Sequence, residues 1–356
     1  MKIIFSGGGT LGPVTPLLAI VDIAKTHYQA EVLWVGTIRG PERSLIEEKG
    51  IPFVTLSSGK FRRYLSFWNV IDITRIFIGF FQAVRLLWKE QPDMCVSAGG
   101  FISVPLHWAA FVLGIPTWIH QQDVRPGLAN KLMAPTAHII TTALEQSTLF
   151  FSKRKTYWLG NPVRSEILAG SAIRAKELFK LALDIPVIFV TGGGTGSMRV
   201  NQMITQALTH LDGYVQVLHL TGKERPQELI APANRQFSFY HPYQFFTYEM
   251  SHAYAIADIV ISRGGFGTLT EIAALGKPAI IIPKPGHQDD NVSFLEQAGA
   301  IYLLDEELND GNHLAKKIRE LLVDKPQQAY MRQKIQTILP VAPVEKIVGI
   351  IDRLVK

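Results

Sequence analysis

Short apolar runs alternate with helix-like segments along the whole chain. In the first half the runs Lys2–Ser6, Glu31–Gly36, Pro52–Leu56, Met94–Ala98, Thr117–His120 and His138–Thr142 predict strands. In the second half Val187–Thr191, Val215–Leu220, Gln236–Tyr240, Ile259–Ser262, Ala279–Pro283 and Ile301–Leu304 do the same. Strands separated by helices predict parallel sheets covered on both faces, because parallel neighbours need a crossover. One plan is used twice: KIIFSGGGTLGPVTP at 2–16 and PVIFVTGGGTGSMRVN at 186–201 each run from a β-rich segment through a GGGT turn into a helix-like one. The expectation is an α/β protein of two Rossmann-like lobes facing a cleft, with ligands beyond the carboxyl ends of the strands. The lobes are expected at 1–162 and 163–340, divided at the turn Gly160-Asn161-Pro162, with a last helix in 341–356 packing back on the first lobe.

Composition supports that picture. A chain of 356 residues exceeds what one core usually holds, which favours two domains. With 47% hydrophobic and 19% charged residues it is not a disordered chain. Cys95 is the only cysteine, so no disulfide forms within the chain and a reducing compartment is expected. The opening MKIIFSGGG is too short in its apolar part for a signal peptide. No stretch reaches the ~18 uncharged apolar residues that a membrane span needs. The net charge of +6 is carried entirely by residues 1–163, which also hold all six tryptophans. A basic, Trp-rich first half and a neutral second half suggest that one half meets an anionic surface.

Glycines at a strand-to-helix turn let the backbone approach a ligand, and the helix start offers free N–H groups to a diphosphate. A tight turn chosen for packing would look the same. Gly7, Gly9 and Gly12 fit a dinucleotide fingerprint, but the second strand ends Trp34-Val35-Gly36-Thr37, without the carboxylate that would take a ribose. A nicotinamide-dependent oxidoreductase is weakened accordingly. The richer constellation is Ser262-Arg263-Gly264-Gly265-Phe266-Gly267-Thr268-Leu269-Thr270-Glu271, a strand end entering a helix. Glu271 is placed either to accept from a ribose diol or, with Thr268, to close a T-x-x-E capping box. The polar run His287-Gln288-Asp289-Asp290-Asn291 follows the next predicted strand, where sugar hydroxyls could be read.

With Arg263–Glu271, His287-Gln288, Asn291 and Leu295–Ala300 identified, the chain resembles the MurG family nearly end to end. Other family-like segments are GGGTLGPVTPLLAI at 7–20, SAGGFISVP at 97–105, HQQDVRPGLANK at 120–131, GNPVR at 160–164, TGGGTGSMRVNQ at 191–202 and HLTGK at 219–223. The resemblance implies a GT-B type glycosyltransferase that inverts the anomeric carbon. It would move N-acetylglucosamine from UDP-N-acetylglucosamine to lipid I, undecaprenyl-diphospho-N-acetylmuramoyl-pentapeptide, giving lipid II for peptidoglycan. It implies a donor site of Arg164, Gly194, Thr247, Arg263, Phe266, Gly267, Thr268, Leu269, Thr270, Glu271, His287, Gln288 and Asn291, with Thr10, Leu11 and Gly12 facing the reaction from the first lobe. No metal and no cofactor are implied; amide dipoles, with Arg263, would stabilise the leaving diphosphate.

The chain departs from the family at several positions, most of them where the acceptor is handled. Pro13 stands where a histidine base is usual, Gln121 where a glutamate is, Phe101 where a tyrosine is, and Gly194-Thr195 where Ser-Gln is. Asp123 is the substitute base that the residues suggest, with His120 supporting it; the alternative is that Asp123 caps the helix entered near Pro126-Gly127. General-base help of this kind is worth about 10²–10⁴-fold.

Residues 60–89 carry six Lys/Arg against one acid, Asp72. On a helix from about 73, Arg75, Gln82, Arg85 and Lys89 share one stripe among Ile, Phe, Val, Leu and Trp. Lys60, Arg62, Arg63, Phe67 and Trp68 pair cations with aromatics, as an interfacial segment on anionic lipid does. A core helix with a solvated basic stripe is the other reading of the helix. The long aliphatic runs argue against nucleic acid. The expected location is peripheral, on the cytoplasmic face of the cell membrane. The rival functions are a related UDP-sugar transferase with another lipid acceptor, and a catalytically silent donor-binding protein.

Overall fold

Uncharged runs rich in Ile, Val and Phe can be covered on both faces, and here they become parallel strands. The structure is a computed structural model that describes residues 1–38, 40–59, 68–182, 184–193, 196–223, 225–228, 230–246, 248–286 and 288–355, with the side chains of 68–73 outside that description. The chain forms two units, Met1–Arg164 with Val341–Lys356, and Ser165–Pro340.

The first unit runs β1 (Lys2–Ser6), α1 (Val14–Tyr28), β2 (Glu31–Gly36), α2 (Glu42–Glu48), β3 (Phe53–Thr55), α3 (Trp68–Glu90), β4 (Met94–Ser97), α4 (Ser103–Val112), β5 (Thr117–Gln121), α5 (Leu128–Met133), β6 (Ile139–Thr142) and β7 (Thr156–Trp158). Its sheet has the order β3-β2-β1-β4-β5-β6-β7, all neighbours parallel. Alternate residues of β1 serve opposite faces, as strand geometry requires. Ile3 and Phe5 pack with Leu17 and Trp34, whereas Ile4 packs with Ala83, Leu87 and Leu106 from α3 and α4.

The second unit runs α6 (Ser165–Leu168), α7 (Ala172–Phe179), β8 (Val187–Thr191), α8 (Met198–Ala207), β9 (Gln216–Leu220), α9 (Ile230–Gln236), β10 (Tyr240–Tyr243), α10 (Met250–Ile256), β11 (Ile259–Ser262), α11 (Phe266–Leu275), β12 (Ala279–Ile281), α12 (Asp289–Gln297), β13 (Tyr302–Leu303), α13 (Gly311–Val323) and α14 (Lys325–Ile338). Its sheet order, β10-β9-β8-β11-β12-β13, places the first strand centrally as β1 is placed in the other unit. The chain then returns to the first unit through α15 (Val344–Val355), whose Ile347, Ile351 and Leu354 join the α1 side of that core. The Tyr28 hydroxyl donates to Asp352 at 2.8 Å, and burial with this bond pushes the phenol up to about 12.

Two strands differ from expectation. Thr156–Trp158 forms the edge strand β7, too short and polar to register as a run. The strand expected at Gln236–Tyr240 begins only at Tyr240, because α9 continues to Gln236. Pro242 lies within β10, which an edge position permits since its missing N–H leaves no inner ladder broken.

Among the described residues three histidines are fully buried: His107 on α4, His120 on β5 and His219 on β9. Burial pushes the His107 and His219 imidazoles down to about 3, and His120 to about 4, where the hydrogen bond to Asn161 offsets part of the fall. All three are therefore neutral in the folded chain near pH 7. Above 6.5, their ordinary value, folded and unfolded states bind no proton here and the contribution is constant. Below it the unfolded chain takes protons that the folded chain refuses, and stability falls until the folded values near 3 to 4 are reached. Each histidine contributes a slope of up to about 1.4 kcal/mol per pH unit in that window. Among the described residues neither ring nitrogen of His107 has a hydrogen-bond partner. His107→Leu is expected to stabilise the chain by about 1 kcal/mol at pH 7 and to flatten the loss below pH 6.5. Urea midpoints measured from pH 7.5 to 4.5 check both effects.

Candidate functional site

The carboxyl ends of β11 and β12 collect the residues that the sequence singled out in the second unit. Gly265 is the N-cap of α11; it brings no side chain to accept from the first-turn amides, and no acidic residue stands in that turn. Those N–H groups and the positive end of the helix dipole suit an anion. Phe266, Leu269, Thr270 and Glu271 are buried, while Gly267 and Thr268 are half-buried. The helix starts at Phe266, so Thr268 lies inside it and the T-x-x-E capping box does not form. Glu271 instead accepts from the Tyr254 hydroxyl at 2.9 Å, both side chains being buried. Thr270 turns its hydroxyl back to the Phe266 carbonyl, 2.9 Å away.

The Gly264-Gly265 pair runs against Gln288. A Cβ at Gly264 would lie 2.3 Å from a Val292 methyl carbon and 3.3 Å from the Gln288 Cβ, so only glycine admits this approach. Gln288 is the N-cap of α12 and accepts from the Lys284 N–H at 3.1 Å. Asn291 is buried in the first turn of the same helix. The structure thus brings Phe266–Glu271 and Gln288 together. Gly194, Thr247 and His287 lie outside the described residues.

Arg263 corrects one expectation. Its Nε donates to Ser197 Oγ at 2.8 Å and its Nη1 to the carbonyls of Ile282 and Pro283 at 3.0 and 2.9 Å. Nη1 also pairs with Glu306 Oε2 at 2.5 Å. The charge expected to meet a diphosphate is neutralised by Glu306, and the guanidinium ties the ends of β11 and β12 to the start of α8. Ser197 itself caps α8 by accepting from Val200 N–H at 3.3 Å.

In the first unit Pro13 is the N-cap of α1, and the Leu11 carbonyl accepts from Val14 and Thr15 N–H at 3.1 and 3.3 Å. Thr10 is exposed, with Leu11 and Gly12 half-buried behind it. Asp123 is exposed on the loop after β5. That loop is clamped: the Asp123 carbonyl accepts from Gln121 Nε2 at 2.7 Å, and Ser147 Oγ donates to the Val124 carbonyl at 3.0 Å. Gln121 also accepts from Asn130 Nδ2 at 2.6 Å, so its amide both gives and takes, which a glutamate could not do. The N-cap of α5 is Gly127, so Asp123 does not stand at the cap position of that helix.

His120 requires a second correction. It is fully buried, with Nε2 2.8 Å from Asn161 Oδ1 and Nδ1 2.9 Å from Thr141 Oγ1. Asn161 Oδ1 only accepts, so Nε2 carries the proton. Thr141, which accepts from Trp118 Nε1 at 2.8 Å, then donates to Nδ1. Both nitrogens are committed to the fold, and burial opposes protonation; this imidazole is a pin, not a proton acceptor. Arg164 is half-buried at the end of the first unit. Lys60, Arg62, Arg63 and Phe67 lie outside the described residues, as does the side chain of Trp68. Further along α3, Arg75, Gln82, Arg85 and Lys89 are exposed as the stripe requires, but so are Phe77, Ile78, Phe81 and Trp88. Sequence reasoning missed Tyr254, Ser197 and Glu306, whose roles depend on residues 17, 66 and 43 positions away.

Residues 3–142 match the glycosyltransferase family 28 N-terminal domain, and residues 187–345 match the glycosyltransferase family 28 C-terminal domain. The chain is 34% identical over 358 residues to the UDP-N-acetylglucosamine--N-acetylmuramyl-(pentapeptide) pyrophosphoryl-undecaprenol N-acetylglucosamine transferase of Lachnoclostridium phytofermentans, covering 99% of each chain. It is 37% identical to the protein of the same name from Lachnospira eligens, covering 94% of each. Among solved structures it is similar in fold to Acinetobacter baumannii MurG, with a TM-score of 0.75, 24% identity and 99% of each chain covered.

The Arg263 arrangement predicts a stability effect. Arg263→Ala leaves a mostly buried Glu306 carboxylate uncompensated and two carbonyls without their donor. The expected loss is about 2–5 kcal/mol. Arg263→Ala combined with Glu306→Leu should recover part of it. Urea unfolding of the single and double variants measures the coupling.

Proposed function

The chain belongs to the MurG family of glycosyltransferase family 28, and on that premise we propose that it transfers N-acetylglucosamine from UDP-N-acetylglucosamine to lipid I, forming lipid II for peptidoglycan. The observation that carries the reading is the open first turn of α11, with buried Glu271 held by Tyr254 close behind it. The amides of Phe266, Gly267 and Thr268 take the diphosphate of the donor, and Glu271 accepts from the ribose hydroxyls. Gln288, with Asn291, reads the transferred sugar. Arg164, Gly194, Thr247, Leu269, Thr270 and His287 complete the donor site by resemblance, and Thr10, Leu11 and Gly12 attend the reaction from the first unit.

The 4-hydroxyl oxygen of the acceptor bonds to the anomeric carbon while the bond from that carbon to the β-phosphate oxygen breaks. Asp123 takes the hydroxyl proton, and UDP leaves with the electron pair. A base held on a clamped loop keeps its position without ordering cost at the moment of reaction. Amide dipoles at the start of α11 stabilise the diphosphate charge as it develops, a role that Arg263, neutralised by Glu306, does not take.

The membrane partner follows from α3 and α4. Phe77, Phe81 and Trp88 are 62%, 68% and 74% exposed, beside exposed Arg75, Arg85 and Lys89. Phe111 and Val112, at the end of the adjoining α4, extend the apolar surface. No helix among the described residues is long and apolar enough to cross a membrane. This mixed surface lies on anionic lipid at the cytoplasmic face, where the acceptor is presented.

Turnover with a lipid I analogue tests the function, and its absence in a protein that still binds UDP-N-acetylglucosamine would favour the silent donor-binding reading. Asp123→Asn is expected to lower turnover by about 10²-fold or more while calorimetry finds UDP-N-acetylglucosamine binding unchanged. Unchanged turnover would remove Asp123 from the role. Flotation with vesicles containing anionic lipid should carry the protein, and the triple change Phe77→Ser, Phe81→Ser, Trp88→Ser should leave it in the unbound fraction.

A further inference from the structure

Glu42, the first residue of α2, is fully buried in the first unit. A carboxylate taken out of water has to be matched by donors. Thr37 supplies two: its N–H lies 2.8 Å from Oε1 and its hydroxyl 2.5 Å from the same oxygen. The third is the Gly9 N–H, 3.2 Å from Oε2. These groups come from the turns after β2 and β1, the place where a nucleotide-binding lobe of this topology would receive a phosphate. Gly8 is fitted to the same carboxylate: an added Cβ would lie 2.3 Å from Oε1 and 2.8 Å from Cδ, but 3.3 Å from its next neighbour, a Thr37 methyl carbon. The glycine in the first GGGT turn makes room for the chain's own anion.

We propose that Glu42 is a positioning residue, a built-in anion that fills the amide nest of the first glycine turn. It holds Gly9 and thereby sets the Thr10–Gly12 loop. It also keeps phosphate out of a turn whose sequence advertises a phosphate site. The effect on turnover rests on the reading above, in which Thr10–Gly12 attend the reaction. The occupancy of the nest does not.

The experiment therefore has a substrate-free arm and a kinetic arm, with formate as the probe anion. In Glu42→Ala, formate is expected to raise the thermal unfolding midpoint in a saturable way, with no such rise in the wild-type chain. Gly8→Ala is expected to destabilise the wild type and to be nearly silent in the Glu42→Ala background, since its clash is with the carboxylate. In the kinetic arm Glu42→Ala should lower kcat by about 10–100-fold, with the KM for UDP-N-acetylglucosamine altered less than about threefold, and formate should restore part of the loss. If Glu42→Ala does not fold, Glu42→Gln carries the test: its amide places a donor against the Gly9 or Thr37 N–H, and kcat should fall with donor binding retained. Absence of any formate effect, together with equal cost of Gly8→Ala in both backgrounds, would overturn the proposal. So would wild-type kcat in both Glu42 variants. Failure of the wild-type chain to turn over lipid I would overturn the functional reading and leave the formate and Gly8 results to stand or fall separately.

Discussion

A parallel strand that turns into a helix leaves the first amides of that helix without partners, and every such turn must offer them an acceptor or leave them to water or a ligand. The turns answer this requirement differently. After β1 the turn is closed from within: Gly9 donates to Glu42, and the first amides of α1 donate to the Leu11 carbonyl. At α8 the Ser197 hydroxyl closes the turn and is itself anchored by Arg263. At α11 the N-cap is a glycine with nothing to offer. The donor site proposed above rests on that turn, because a diphosphate needs donors that the chain has not already used.

The same economy explains the buried polar residues. His120 and His219 occupy inner strands of the two sheets, and each has both nitrogens engaged. His219 meets the Tyr240 hydroxyl at 2.7 Å and Asn201 Oδ1 at 3.1 Å, while Asn201 Nδ2 donates to the Thr221 carbonyl. In each unit the imidazole links a strand to neighbouring segments: to Asn161 near the end of the first unit, and through Asn201 to Thr221 beside the second glycine turn. Such networks are costly when half satisfied, and they hold the loops to one conformation when complete.

Much of this was legible from the sequence. Eleven of the twelve expected strands fall where the apolar runs are, because strands buried on both faces must be continuously apolar. The exception turns on Phe237 and Phe239, apolar residues that cover the core from the end of α9 while the strand itself begins at Tyr240. The candidate site was legible in its local part, Phe266–Glu271 and Gln288, since a strand end, a glycine pair and a helix start are contiguous signals. The partners that decide what each side chain does were not. Whether Glu271 caps a helix depends on where α11 starts and on Tyr254, and whether Arg263 is available to a ligand depends on Glu306; neither is written within one turn of the residue concerned. Glu42 carries no motif at all, and only its burial against Thr37 and the distant Gly9 turn reveals it.

Pro13 is the departure with the widest consequence. As N-cap of α1 it stands at φ −66, a value proline adopts without strain, and the missing N–H costs nothing because the helix amides after it already reach Leu11. The substitution is therefore compatible with the loop and leaves its backbone role intact, while removing any side chain that could take a proton. In the loop after β5 Gln121 gives its amide to the Asp123 and Arg125 carbonyls, and the carboxylate nearest to it in sequence is the exposed Asp123. With no proton acceptor at Pro13 and an exposed carboxylate on a loop whose backbone is held at the Asp123 and Val124 carbonyls, the proposed base is the point at which an active transferase and a silent relative would differ, more than on the donor side.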